Sequence, residues 1–158
     1  MSQGSCRLGL WHVLVTWNDE TVHQIRFSRT GLPGGVPIQI SRYLAGKGQS
    51  FSPLTSPLLS LASVYGDIYR IVHAIPYGYT RTYGEVACMA GTSPRVVGQA
   101  MKRNTTPLII PCHRVIGSGG IGGFTPDIWI KEELLRMESE MMNLPGFPGG
   151  DSQLPGLQ

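Results

Sequence analysis

The sequence predicts an α+β protein: a small amino-terminal antiparallel sheet with one helix, followed by a mostly helical carboxy-terminal part. That second part is expected to carry a helix-turn-helix with winged-helix-like features. Three observations predict this. Residues 10–27 crowd β-branched and aromatic side chains on either side of a polar Asn18-Asp19-Glu20, the pattern of a hairpin. From Ser56 onward apolar residues recur at helical spacing. Between residues 82 and 103, two capped helix starts stand close together around a glycine, as in two short helices joined by a tight turn.

Taken in order, Leu10–Trp17 and Thr21–Phe27 are the two expected strands, and Gly31-Leu32-Pro33-Gly34-Gly35 is a loop. Residues 37–45 suit a short helix ending near Gly46. Residues 49–55 read as a connection, which divides the chain into a scaffold over 1–52 and a second domain over 53–142. Ser56-Pro57 offers a side-chain cap with proline at the first helical position. Leu58, Leu61, Tyr65, Ile68 and Val72 then predict one helix as far as Ile75-Pro76-Tyr77-Gly78. Thr82-Tyr83-Gly84-Glu85 is a capping box. The helix it opens should close at Gly91, and Ser93-Pro94 opens the next. In that helix Val96, Val97, Ala100 and Met101 face inward, leaving Arg95, Gln99, Lys102 and Arg103 outside. Asn104 is expected to take the left-handed conformation at the helix end and to bond the turn that follows.

Leu108-Ile109-Ile110 then reads as a buried strand delivering Pro111-Cys112-His113-Arg114-Val115, with the glycine loop 117–123 beyond it. Thr125-Pro126-Asp127 starts a last helix with Ile130, Leu134, Met137 and Met141 on its apolar stripe and Glu138 close to it. Residues 143–158, with several Gly and Pro, are expected to be a disordered tail.

Composition narrows the chemistry. With 158 residues, 41% hydrophobic and 15% charged, the chain suits one or two compact soluble domains. The net charge is only +3, but its distribution is uneven. No acid falls between Glu85 and Asp127, whereas Arg95, Lys102, Arg103 and Arg114 do. A locally cationic surface favours a phosphate backbone. Cys6, Cys88 and Cys112 form neither a disulfide framework nor a metal pair, and His12, His23, His73 and His113 add no ligand spacing. No metal and no cofactor are expected. Neither a signal peptide nor a membrane span is evident, so a cytoplasmic location, or a nuclear one in a eukaryote, is expected.

An isolated cysteine is usually a packing residue. Cys112 differs because an imidazole and a guanidinium stand directly beside it, and positive neighbours favour the nucleophilic thiolate. On an extended segment, however, adjacent side chains point to opposite faces, so a direct Cys112–His113 pair is not expected.

These blocks together, from Thr82-Tyr83-Gly84-Glu85 through Ser93–Met101, Asn104 and Pro111–Val115 to the glycine loop, resemble the O6-alkylguanine-DNA alkyltransferase family of DNA repair proteins. The resemblance runs from about Ser56 to about Ser139; the amino-terminal part matches in general layout and the last residues not at all. It implies single-turnover transfer of an alkyl group from guanine O6, with thymine O4 as the alternative atom, onto Cys112. By motif position His113 would be the base, acting through a water, and Glu138 would orient it. Tyr83 would donate to the leaving guanine. The backbone of Cys112 and Val115 would read the exocyclic amine, and Thr125 the O6 atom. Phe124 stands where tyrosine is common and would pack on the base, with Asn104 completing the substrate side. Arg95 matches the arginine that fills the space of a flipped-out base, and Gln99, Lys102 and Arg103 extend the DNA surface. The implied partner is alkylated double-stranded DNA, met in the minor groove by a monomer that needs neither a membrane nor an obligate protein partner.

Three other readings compete. A non-catalytic alkyltransferase-like protein would bind the damaged base without reacting, but such proteins lack the nucleophile. A helix-turn-helix regulator explains residues 82–103 and leaves Pro111–Val115 idle. A cysteine hydrolase requires a distant histidine and an oxyanion hole, which nothing in the chain identifies.

Overall fold

The structure, a computed structural model, describes residues 1–142; the expected tail lies outside them. Three antiparallel strands in sequential order form the amino-terminal sheet: β1 (Ser2–Leu8), β2 (Trp11–Asn18) and β3 (Thr21–Ser28). Val13, Val15, Val22 and Ile25 are buried on its inner side. The hydrophobic pattern predicts only β2 and β3. In the edge strand β1 the alternate residues Gly4, Cys6 and Leu8 are buried or packed against the core, but only Leu8 is a large apolar side chain, so the alternation is too weak to reveal it. Helix α1 (Ile38–Leu44) follows and buries Ile40, Tyr43 and Leu44.

The single helix expected from Ser56 is divided. Ser56 caps a 3-10 turn over Pro57–Ser60, accepting from the Leu58 N–H. The chain then extends through Leu61, and Ser63 caps α2 (Val64–His73) by accepting from Gly66 N–H. The doubled chain passes so close that a Cβ on Gly66 would lie 1.9 Å from the Leu61 carbonyl oxygen. Leu61 is accordingly exposed, while Ile68 and Val72 hold the core positions.

The two-residue strand β4 (Arg81–Thr82) leads into α3 (Tyr83–Ala90). Both halves of the capping box form: Glu85 N–H donates to the Thr82 hydroxyl and Thr82 N–H to the Glu85 carboxylate. Gly91 ends α3 at φ 69°, a left-handed value that a glycine adopts without strain. Ser93 then caps α4 (Pro94–Lys102). Val97 and Ala100 are buried and Val96 and Met101 half-buried, with Arg95, Gln99, Lys102 and Arg103 outside.

The expected strand at Leu108-Ile109-Ile110 does not form. All three residues are buried, but Leu108 turns at φ 77° and the segment makes only a Pro107–Ile110 bridge with itself. A short apolar run is compatible with any buried conformation. Here Asn104 supplies what a neighbouring strand would have supplied: its amide donates to the Ile110 carbonyl at 2.8 Å and its oxygen accepts from the Thr106 N–H at 3.0 Å. Asn104 itself is not left-handed, because among the described non-glycine residues only Asp19 and Leu108 have positive φ. The bonding expected of it is present; the backbone conformation is not.

Cys112–Arg114 form a 3-10 turn, after which β5 (Val115–Ile116) pairs in parallel with β4. Helix α5 (Ile128–Met142) closes the fold, its first turn capped by Asp127, which accepts from Trp129 N–H. Two apolar clusters result. One joins the sheet and α1 to Leu108, Ile109, Ile130 and Leu134. The other gathers α2, α3 and α4 around Ile110 and Val115. The Leu108–Val115 segment supplies residues to both, so Cys112 sits on the seam between them. No described helix is long and apolar enough to cross a membrane.

Candidate active site

Cys112 and His113 stand in a 3-10 turn and not on the extended segment expected of them. Cys112 lines a cleft of about 390 Å³, and is itself 8% exposed. Tyr83 enters this cleft from α3, Gly98, Met101 and Lys102 from α4, and Phe124, Thr125 and Pro126 from the loop before α5. Asn104 borders it as well, and so do Ile25, Arg26 and Phe27 of β3. Phe27 and Phe124 meet edge-on with ring centroids 5.7 Å apart.

His113 points away into the interior and is fully buried. Its Nε2 lies 2.7 Å from Glu138 Oε2. A carboxylate only accepts, so Nε2 carries the proton and Nδ1 of the neutral ring is left with a free lone pair. Nδ1 has no hydrogen-bond partner among the described residues. Burial lowers the proton affinity of the imidazole, with Glu138 opposing that effect and Arg114 adding to it.

Glu138 is the hub beneath this ring. Oε1 accepts from Arg114 Nε at 2.9 Å and from the Gly78 N–H at 3.1 Å. Oε2 accepts from Arg114 Nη2 at 2.9 Å, from His113, and from the Tyr43 hydroxyl at 2.5 Å. Burial alone would raise its proton affinity, but His113 and Arg114 overcome this and hold the carboxyl well below its ordinary range. Arg114 spends its remaining nitrogen on the Ile75 carbonyl at 2.7 Å.

The Cys112 thiol is pushed up to about 11 by burial, offset in part by the Asn104 side chain and by the charge of Lys131. The resting thiol is therefore protonated and needs a base to become a nucleophile. Lys131, on α5, is 1% exposed; it donates to the Val115 carbonyl at 2.7 Å and lies 5.7 Å from the centre of the Tyr83 ring. Burial lowers it to about 8. Tyr83 is raised, by burial first and by Cys112 second, and so keeps its phenolic proton.

The structure thus gathers Cys112, Tyr83, Asn104, Phe124 and Thr125 around one cleft and places His113 and Glu138 directly behind it. Val115 is fully buried, its carbonyl engaged by Lys131. Lys102 borders the cleft, whereas Arg95 and Gln99 lie farther along the exposed side of α4. Arg103 leans back over the Tyr65 ring at 5.6 Å. Among the described residues no three His, Cys, Asp or Glu side chains gather to hold a metal ion.

Lys131, Tyr43 and the β3 wall carry no expectation from the sequence, and Arg114, expected as a cation beside the thiol and on a cationic surface, is instead buried as the partner of Glu138. Lys131 stands seven residues before Glu138, two turns along the same face of α5, and that spacing could have exposed it. Tyr43 lies 95 residues from Glu138, and no local pattern signals such a contact.

Residues 63–140 match the family model described as "6-O-methylguanine DNA methyltransferase, DNA binding domain". A methylated-DNA–protein-cysteine methyltransferase from Metallosphaera sedula is 34% identical over 110 residues, covering 69% of each chain. One from Archaeoglobus fulgidus is 42% identical over 106 residues, covering 63% of this chain and 71% of its own. The chain belongs to the methylated-DNA–protein-cysteine methyltransferase family. The family's fold extends beyond the matched segment. The structure of Mycobacterium tuberculosis OGT in complex with DNA superposes with a TM-score of 0.72 over 88% of this chain and 93% of that one, at 24% identity.

Proposed function

We propose that this protein repairs DNA by moving an alkyl group from guanine O6 to its own Cys112, once per molecule. The observation that carries the reading is the arrangement behind the cleft. A protonated, buried thiol faces substrate space, and the imidazole next to it has one nitrogen bound to a carboxylate and the other free to accept a proton.

His113 Nδ1 takes the thiol proton through a water, and Glu138 stabilises the imidazolium at Nε2, as a carboxylate does in other triads. The thiolate attacks the saturated carbon; the S–C bond forms as the C–O6 bond breaks, and the electron pair leaves with guanine. Tyr83 donates a hydrogen bond to that base, and the thiol's proton finally balances it. The thioether product has no ready leaving group, so Cys112 is consumed.

The alkylated atom is inaccessible within stacked duplex DNA, so the nucleotide must be extruded. Helices α3 and α4, joined across Gly91–Ser93, act as the docking helix-turn-helix, with Arg95 entering the vacated space and Gln99, Lys102 and Arg103 on the backbone side. Gly98 leaves the outer side of α4 smooth enough for the narrow minor groove. Thr125 and Phe124 hold the extruded base from the opposite wall. A cytoplasmic or nuclear location fits such a substrate.

The test is incubation with duplex DNA carrying one labelled O6-methylguanine, followed by mass mapping of the protein. Label confined to Cys112 at up to one equivalent is expected, and Cys112→Ala should lose transfer while retaining the damaged duplex. Transfer by that variant would overturn the reading.

A further inference from the structure

Tyr43 belongs to the amino-terminal helix α1, yet its hydroxyl touches the relay behind Cys112. It lies 2.5 Å from Glu138 Oε2 and 3.3 Å from His113 Nε2. The residue is fully buried, held by Phe51 with ring centroids 4.8 Å apart and by Tyr77 edge-on at 5.9 Å. A phenylalanine would fill that aromatic setting without bringing a hydroxyl out of water. A buried hydroxyl is costly unless it is bonded, and this one points at the single oxygen that also holds His113.

We propose that Tyr43 is a positioning residue for alkyl transfer, through which the amino-terminal region sets how Glu138 holds His113. The inference rests on the alkyl-transfer reading above. Because Oε2 is shared among Tyr43, His113 and Arg114, each donor tempers what the oxygen offers the others. Burial, and Glu138 after it, keep the phenol well above its usual range, so it remains a donor throughout the working pH. Removing the hydroxyl leaves a more basic carboxylate, a stronger pull on the Nε2 proton and a more basic Nδ1.

The other groups facing this pair are Tyr77 and the Gly78 N–H from the turn after α2, Cys112 and Arg114 from the 3-10 turn, and Lys131 from α5. All of them remain in Tyr43→Phe. His113 must be neutral to accept the thiol proton, so transfer falls as pH drops through its titration. Tyr43→Phe should therefore move the acid limb to higher pH.

The experiment compares wild type, Tyr43→Phe and Tyr77→Phe; the Tyr77 hydroxyl has no partner among the described residues. Ring-nitrogen NMR follows the His113 titration directly, and transfer from free O6-benzylguanine follows the rate across pH. In Tyr43→Phe both midpoints should rise by roughly half a pH unit or more; in Tyr77→Phe both should stay in place. Coincident midpoints in all three proteins, even with a lowered melting temperature in Tyr43→Phe, would overturn the proposal and leave Tyr43 a packing residue. In wild type the Tyr43 hydroxyl proton should appear as a slowly exchanging downfield resonance coupled to the His113 ring, and its absence would overturn the proposal however the variant folds. A wild-type chain without transfer would sink the alkyl-transfer reading, while the nitrogen titration still decides whether Tyr43 governs His113.

Discussion

Lys131 Nζ lies 2.7 Å from the Val115 carbonyl oxygen, so a buried cation holds the carbonyl expected to read the guanine amine. The same charge favours the Cys112 thiolate. Lys131→Met should slow alkylation of Cys112 by iodoacetamide about threefold to tenfold near pH 7, a thiol shift of up to one unit. Lys131 loses its proton as pH rises through about 8, so the gap between wild type and variant should narrow above that pH. Rates followed by mass mapping of Cys112 check both the gap and its closing.

Glu138→Ala should cost about 3–5 kcal/mol, because it leaves the Arg114 guanidinium buried without its partner. Chemical denaturation measures the loss. The acid side has a definite sign. Glu138 is held below its unfolded value of about 4.3, so its contribution is complete above that pH and drains away as pH falls further. His113 is also lowered in the fold, and its share begins to drain below its unfolded value of about 6.5. Melting temperatures should thus decline steadily between pH 6 and 3 in wild type, and the decline below pH 4.3 should flatten in Glu138→Gln.

Arg95→Ala should slow repair of O6-methylguanine in duplex DNA about tenfold or more while leaving reaction with the free base within about twofold, since only a paired base needs extrusion. Arg95 is exposed and makes no hydrogen bond or ion pair among the described residues, so the substitution spares the fold. Equal losses on both substrates would point instead to a chemical role.

Alkylated Cys112 should destabilise the protein. Cys112 is 8% exposed and its thiol faces Asn104, whose side chain also bonds the Ile110 carbonyl and the Thr106 N–H. Crowding a packed site costs about 1–3 kcal/mol, and a chain of this size loses about 2–4 °C per kcal/mol. Calorimetry before and after stoichiometric methyl and benzyl transfer should show lower midpoints, benzyl at least as low as methyl.

The sequence carried the helical half well, because its signals are local: the Thr82–Glu85 capping box, Gly91, Ser93-Pro94 and the Glu138 stripe all occur where expected. It failed where structure depends on distant chain. Strand β1 pairs through backbone that its polar side chains do not advertise. The Leu108–Ile110 turn is held by Asn104 side-chain bonds in place of a strand partner. Ser56-Pro57 is a genuine cap, but Gly66 must pass beneath Leu61, which breaks the helix between them. In the site, Cys112, His113 and Glu138 were legible from motif and spacing, whereas Tyr43 and Lys131 looked like ordinary members of their helices until tertiary contact gave them partners.

The apolar cluster that joins β2 and β3 to Ile130 and Leu134 bears on how the chain is made. A ribosome releases the sheet and α1 well before α5, so Val13, Val15, Val22 and Ile25 emerge with little beyond Ile40, Tyr43 and Leu44 to cover them. The rest of that cluster stays uncovered until Ile130 and Leu134 follow, more than a hundred residues after Ile25. Messages cut short before α5 would yield chains with an uncovered apolar sheet, well suited to capture by chaperones or proteases rather than to partial service on DNA.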